Sequence, residues 1–342
     1  MVAAKRTASL IYMKKIFVTG AMVILIAPFC IGQLKWVNVD SLFHPLPSSV
    51  HVFKTTDLLD GKPNIAFYVI ADLKDKRIDF TVDTTYRRRL TPSKFYEKNE
   101  KPLLVVNTTF FSFTTNQNLN VVIKDGKMIS YNVHTIPGKG NDTLTYKHPF
   151  GSAIGISKKR NADVTWLYTD SVQKKPYRLN YIISPQSDSV GNPDMRYLVK
   201  NYIYPGPDPA HGRIENFSRW KMQTAVGGGP VLLQNGEIKI TNNEELKFAG
   251  KAINDKHPRT AMGYTSDNKL IILVVEGRNT GKAEGATLTQ LAQVLKNLGC
   301  WEALNLDGGG SSCMLVNGKE TIRVSDASGQ RPVPAVFIIR SR

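Results

Sequence analysis

The run ALNLDGGGSSCMLVNG at 303–318 sets a carboxylate, three glycines and two hydroxyls between two apolar stretches. Adjacent glycines lose much conformational entropy on folding, so keeping three implies backbone shapes or close approaches that a side chain would forbid. Two uses suit the run. One is a tight turn in which Asp307 bonds neighbouring backbone N–H groups. The other is a ligand site, with Gly308, Gly309, Gly310 and the Ser311 hydroxyl forming an anion-binding nest beside the carboxylate. A second carboxylate, Glu276, also ends an apolar run, NKLIILVVEGR, and enters a glycine turn. Arg259 in HPRTAMG and Arg278 in VVEGRN carry guanidinium forks that match phosphate oxygens. Their structural alternative is a salt bridge to Glu276 or Asp307.

Around these stand candidates for binding and orientation. Asn107 and Asn305 could bond sugar hydroxyls, orient the carboxylates or satisfy backbone at a strand end, and Gly227, Gly228 and Gly229 repeat the triple glycine. His257 is either a general acid or a structural hydrogen-bonder beside Pro258. Ser311 lacks the strand, elbow and helix order of Gly-x-Ser-x-Gly hydrolases, which argues against a covalent nucleophile.

The elements that must position these groups read mainly as strands. NIAFYVIADL and KRIDFTVDTT have the β-branched and aromatic content of antiparallel strands, and LLVVNTTFF is a buried strand. In NVVIKDGKMISYNV the Asp125-Gly126 pair predicts a hairpin. NKLIILVVEGR is continuous enough to be buried on both faces. One helix is clear: Thr287 and Gln290 form a capping box before Leu288, Leu291, Leu295 and Leu298, and Gly299 stands at the C-terminal cap. The segment from about 170 to 222 is rich in Pro, Gly, Asn and Asp, and is expected to be an irregular cover or insertion. AVGGGPVLLQNGEI and LDGGGSSCMLVNGKE share one order of strand, triple glycine, strand and Asn-Gly hairpin, and LLVVNTTFF with VVIKDGK is a looser copy. Packed side by side, such units would bring their turns to one end of a sheet.

The chain has 342 residues, 42% of them hydrophobic and 21% charged, which is the composition of a globular protein. Residues 1–32 place Lys14 and Lys15 before the uncharged IFVTGAMVILIAPFCIG, the order of a secretory leader cleaved before Gln33. Export to the periplasm, cell surface or medium is therefore expected, with membrane association only if the leader is retained. Its loss would lower the formal charge of +17 by four, to +13. Such an excess favours an anionic partner, and the absence of nucleic-acid-binding signatures argues against nucleic acid. Cys300 and Cys313 could form a disulfide or stay as buried thiols. The six histidines lack zinc-site spacing. No cofactor is expected, and a metal requirement is left open.

The ordered series GGGPVLLQNG, HPRTAMG, LVVEGR, GATLTQLAQVLKNLG, ALNLDGGGSS and RPVPAVFII resembles the phosphodiester glycosidase family. The resemblance implies an α+β fold around a twisted, largely antiparallel or mixed sheet with a few packed helices, in a catalytic domain over 100–342 preceded by lead-in strands at 33–99. It also implies hydrolysis of a sugar-1-phosphodiester, releasing the sugar and leaving a phosphomonoester, with a phosphorylated or anionic glycan as substrate. Asp307 and Glu276 would then be catalytic, and Arg259, Arg278, Asn107, Asn305, Gly228, Gly229, Thr260, Gly309, Gly310 and Ser311 would bind substrate or phosphate. Two departures stand out: Asn107-Thr108-Thr109-Phe110-Phe111 where the family has an Asn-Gly-Gly-Phe-Phe-like stretch, and Glu276-Gly277-Arg278 where relatives have Asp-Gly-Arg or Asp-Gly-Gln. A phosphodiesterase breaking P–O, or a non-catalytic module binding anionic envelope glycans, would use many of the same residues.

Overall fold

The computed structural model describes residues 33–342 apart from 141, 186 and 199–216. The leader expected at 1–32 and the middle of the 170–222 segment lie outside the described residues. Residues 33–342 cluster as one compact unit. No helix among the described residues is long and apolar enough to cross a membrane.

Among the described residues the strands form sheets of eight, seven, five and three strands. In the eight-stranded sheet Ala66–Asp72, Lys269–Val275, Arg259–Thr265, Cys300–Asn305 and Val231–Gln234 are successive antiparallel neighbours. The seven-stranded sheet is centred on Ala162–Asp170, Gly151–Ile156 and Thr224–Gly227. In the five-stranded sheet Leu104–Asn107 lies between Met314–Val316 and Ala335–Ser341, which pairs in turn with Ile78–Thr84. Strands from 33–99 thus complete sheets whose other members come from the far end of the chain.

The strand expectations at 66–72, 78–84, 104–107 and 269–275 are met, and Leu270–Val275 is buried throughout as its unbroken apolar character requires. The hairpin after Val122–Lys124 turns through Asp125 and Gly126, both at positive φ. The helix Leu288–Asn297 starts at the Thr287–Gln290 capping box, and Gly299 follows its end at φ +82°. The three similar units all appear, each with an Asx-Gly turn at positive φ: Asp125-Gly126, Asn235-Gly236 and Asn317-Gly318.

Two expectations need correction. The largely antiparallel sheets and few helices are as expected, but the fold is sheet-dominated and not strictly α+β, because the main core is formed where sheets face one another. Val69, Ile272 and Leu304 of the first sheet share it with Ile154, Trp166 and Val226 of the second and Phe80, Val106 and Phe337 of the third. The segment from 170 is also less irregular than its composition suggests. Lys175–Leu179 is a strand paired with both Ala162–Asp170 and Phe217–Arg219. Pro176 fits there because its carbonyl, the only backbone hydrogen-bonding group it has, accepts from Trp220 N.

Candidate active site

Register brings the chemistry to one end of the eight-stranded sheet. Arg259 opens its strand opposite Val275, the residue before Glu276. Asn305, two residues before Asp307, pairs with Ala261. The five-stranded sheet joins here through Asn107, which closes the strand Leu104–Asn107. Asp307 N donates to Thr108 O at 2.7 Å, and Asn107 Nδ2 donates to Asp307 O at 2.5 Å. Asn107 Oδ1 accepts from Thr260 Oγ1 at 2.9 Å and from Cys313 N at 3.1 Å. Asn107 and Thr260 are therefore engaged inside the protein, where Asn107 orients the backbone of Asp307 and Thr260 holds Asn107.

Asp307 is partly buried, and burial pushes its carboxyl up to about 7. Ser311, Arg331 and the Gly308 N–H oppose that shift without cancelling it. Ser311 Oγ has no well-aligned hydrogen bond although it is buried. Thr108 Oγ1, His257 Nδ1 and Asn305 Oδ1 are also buried without partners. Buried polar atoms are nearly always paired. Thr108, His257 and Asn305 belong to segments that meet at the Asp307 turn, where unpaired polar atoms can meet polar atoms from outside the chain.

The glycine turn differs from the open nest that the sequence suggested. Gly309–Ser311 is a short 3₁₀ turn, and the N–H groups of Gly309, Ser311 and Ser312 already donate to Pro258 O, Gly308 O and Gly309 O. The glycines serve close approach instead. A Cβ on Gly309, which has φ +61°, would stand 3.0 Å from the Arg278 guanidinium, and one on Gly310 would stand 2.2 Å from that of Arg331. A Cβ on Gly308 would press on Pro258 O at 2.8 Å. Two guanidiniums thus lie directly against the turn.

Three arginines pack against the glycine turn that follows Asp307, each held differently. Arg259 is buried, with Nε donating to Ala286 O at 2.9 Å and a terminal nitrogen donating to Asp255 O at 3.0 Å. Burial lowers it to about 10, with Asp255 opposing and Arg278 adding to the shift, so it stays charged at neutral pH. Arg278 is exposed on a backbone at φ +59°, an uncommon conformation for a residue with a side chain. Among the described residues neither has a carboxylate within 4 Å, so the salt-bridge alternative does not hold. Arg331 Nε pairs with Asp326 at 2.8 Å. His257 is held below the usual imidazole range by burial and then by the charges of Arg259 and Arg278.

Glu276 is placed otherwise than Asp307. It is buried, with Oε1 accepting from Asn279 Nδ2 at 2.9 Å and Oε2 from Arg323 N at 3.1 Å. Both oxygens are used, and the carboxylate fastens the Arg278 loop to the 320s segment. A polar cavity of about 460 Å³ opens beside it, lined by Arg278, Asn279, Arg323 and Asp326.

The second triple glycine is a packing device too. A Cβ on Gly229, φ +121°, would stand 2.3 Å from Glu245 Oε2 and 2.4 Å from Lys247 Cε, and one on Gly228 would stand 2.4 Å from Asn305 O. Asn305 Nδ2 donates to Gly229 O at 2.9 Å and Asn120 Nδ2 to Gly228 O at 3.1 Å, which ties the two glycine turns together. Arg331, Glu245 and Lys247 were not singled out in the sequence. Only Arg331 carried a signal, since it opens RPVPAVFII.

A family model described as phosphodiester glycosidase matches residues 100–340. The chain belongs to the phosphodiester glycosidase family. Its relatives include the N-acetylglucosamine-1-phosphodiester alpha-N-acetylglucosaminidase of Mus musculus, 30% identical over 101 residues, and the SPbeta prophage-derived uncharacterized protein YomE of Bacillus subtilis, 42% identical over 86 residues. These matches cover 27% and 25% of this chain but only 19% and 13% of those proteins. The fold is shared with the zebrafish N-acetylglucosamine-1-phosphodiester alpha-N-acetylglucosaminidase catalytic domain auto-inhibited by pro-peptide, at a TM-score of 0.53 and 20% identity, covering 87% of this chain and 86% of that one. A hypothetical protein from Synechocystis gives 0.56 at 15% identity, covering 90% and 68%. Cys300 and Cys313 are both free and buried, which settles the alternative between disulfide and thiols.

Proposed function

We propose that the protein is an exported hydrolase that cleaves a sugar-1-phosphodiester between the anomeric carbon and its oxygen. The observation that carries this reading is the partly buried Asp307 carboxyl, pushed up to about 7, on a glycine turn packed against three arginines and close to the unpaired buried atoms of Thr108, His257 and Asn305. Hydrolysis of a sugar-1-phosphodiester gives the anomeric carbon oxocarbenium character, which an anionic carboxylate stabilises. The leaving phosphate needs little acid assistance but gains from fixed cations. In this reading Arg278 and Arg331 meet its oxygens, the buried Arg259 supplies positive charge from behind, and Ser311 and Thr108 supply hydroxyls. Glu276 positions Arg278. Water adds its hydroxyl to the anomeric carbon while its proton leaves with the phosphomonoester. Family membership supports the reaction class, and the basic start and apolar core of residues 14–32 support export.

Turnover of sugar-1-phosphodiesters in ¹⁸O-labelled water tests the chemistry. The label is expected in the released sugar. Label in the phosphate would establish P–O cleavage instead, and binding without turnover would leave a glycan-binding module.

A further inference from the structure

Beyond the Asp307 cluster, two adjoining cavities run along the other side of the Phe110–Phe248 pair. The first, about 350 Å³, has walls from Phe110, Leu119, Val133 and Ile136, with Asn120, Asn132, Glu245 and Lys247 as polar groups. The second, about 540 Å³, shares Ile136, Leu246 and Lys247 with it and adds Phe248, Lys139, Lys147 and one carboxylate, Asp142. They touch the candidate active site through the two aromatic rings. Phe110 follows Thr108, whose carbonyl holds Asp307, by two residues. Its ring meets Phe248 at 5.9 Å, and the Arg259 guanidinium lies 5.8 Å from the Phe248 ring.

Charge distinguishes this path from a plain apolar groove. The Lys247 ammonium lies 5.5 Å from the Phe110 ring centre, with neither a hydrogen bond nor a carboxylate within 4 Å among the described residues. Glu245, the nearby counter-charge, is saturated by other donors. Ser152 Oγ, Thr241 Oγ1 and Val231 N donate at 2.6, 2.6 and 2.8 Å, and Trp166 Nε1 at 3.3 Å. Burial lowers the ammonium's affinity for its proton while Glu245 opposes that effect. Lys139 and Lys147 are exposed, and among the described residues neither has a carboxylate within 4 Å. Three cations outside any direct ion pair thus follow one another along a path whose other walls are mainly apolar and amide-bearing, the carboxylates there being Glu245, already saturated, and Asp142, which accepts from Thr145 Oγ1 at 2.6 Å. Sugar rings suit such walls, and only negative charge suits such cations.

We propose that the two cavities continue the active-site cleft and hold the chain of an anionic glycan, with Lys247, Lys139 and Lys147 set against negative charges on units beyond the one cleaved. This rests on the reaction proposed for Asp307, and it narrows the substrate class from any sugar-1-phosphodiester to a polymer or oligomer carrying repeated anionic groups.

The test is equilibrium binding, which needs no turnover. A linear sugar-phosphate oligomer and a neutral oligosaccharide of equal length are titrated into the wild type, Lys247→Gln and the double variant Lys139→Gln/Lys147→Gln. The lysines of the double variant are exposed, so it is expected to fold even if Lys247→Gln does not. The wild type should bind the phosphate oligomer at least tenfold tighter than the neutral one at low salt. Both variants should lose most of that preference, and high salt should remove it from the wild type. Equal affinity for the two oligomers, or a folded double variant that keeps the full preference, would overturn the proposal. Turnover of a short sugar-1-phosphodiester with a neutral aglycone is measured in parallel. It should change less than threefold in the double variant. Its absence in the wild type would remove the proposed reaction, while the binding comparison would still decide the lysine-lined path.

Discussion

Replacing Asp307 by Asn keeps the shape of the side chain and removes its charge, so it separates the electrostatic from the structural role. Burial pushes the carboxyl from 3.8 to about 7, and each pKa unit corresponds to about 1.4 kcal/mol. Ionising the wild-type group in the folded state therefore costs up to about 4 kcal/mol relative to the unfolded chain, and less to the extent that its exposed part is screened. The sign follows from the raised value. The folded state holds the proton more tightly, so this contribution to stability is fully present below about pH 4 and is lost as pH rises through about 7. Asn carries no such penalty. In denaturant unfolding across pH 4 to 8, Asp307→Asn should gain on the wild type as pH rises and then level off above about 7. Turnover at neutral pH should meanwhile fall by about two orders of magnitude or more, equivalent to roughly 3 kcal/mol of barrier. A stability difference that stays flat over this range, or full activity in the variant, would refute the reasoning.

The other expectations concern the surroundings of that group. With ionised Asp307 as the working form, kcat/KM should rise with pH through about 7, a limb that a pH-rate profile shows directly. Arg278→Lys should lose about 1.5–3 kcal/mol of transition-state stabilisation with little change in melting temperature, whereas Arg259→Lys should lose stability as well, because its bonds to Ala286 O and Asp255 O go with the fork. Kinetics and melts on both variants check the split. Gly309→Val should lower both melting temperature and turnover, since it strains φ +61° and displaces Arg278. Cys300 and Cys313 should react with a thiol reagent only after denaturation, because both are buried and burial raises both thiols.

The strands were legible because their apolar runs are long and the turns between them carry Asx-Gly pairs. The helix was legible because its caps are local. Lys175–Leu179 was not, since its pairing with Phe217–Arg219 is a long-range choice that a Pro-rich context conceals. At the site, Asp307, Arg259 and Arg278 stood out by type and position, but their neighbours' roles did not. Whether Asn107 faces a sugar or the carbonyl of Asp307 depends on a contact 200 residues away in the chain. The glycines were legible as places of close approach, but what approaches them was not, because the guanidiniums that crowd Gly309 and Gly310 come from other loops. Lys247 resembles any surface lysine until Gly229 and Phe110 are seen against it.

The five-stranded sheet sets the order in which the molecule can be finished. Ala335–Ser341 lies between Leu104–Asn107 and Ile78–Thr84, so a strand made late must enter between two made early. Until it does, both early strands present unpaired hydrogen-bonding edges and apolar side chains such as Val82, Val105 and Val106, the features that recruit other chains. The carbonyl that holds Asp307 belongs to Thr108, just past one of those waiting strands. Assembly of the site is thus coupled to closure of this sheet, and a ribosome stalled before 335 would release a chain with most of its strands and an open seam.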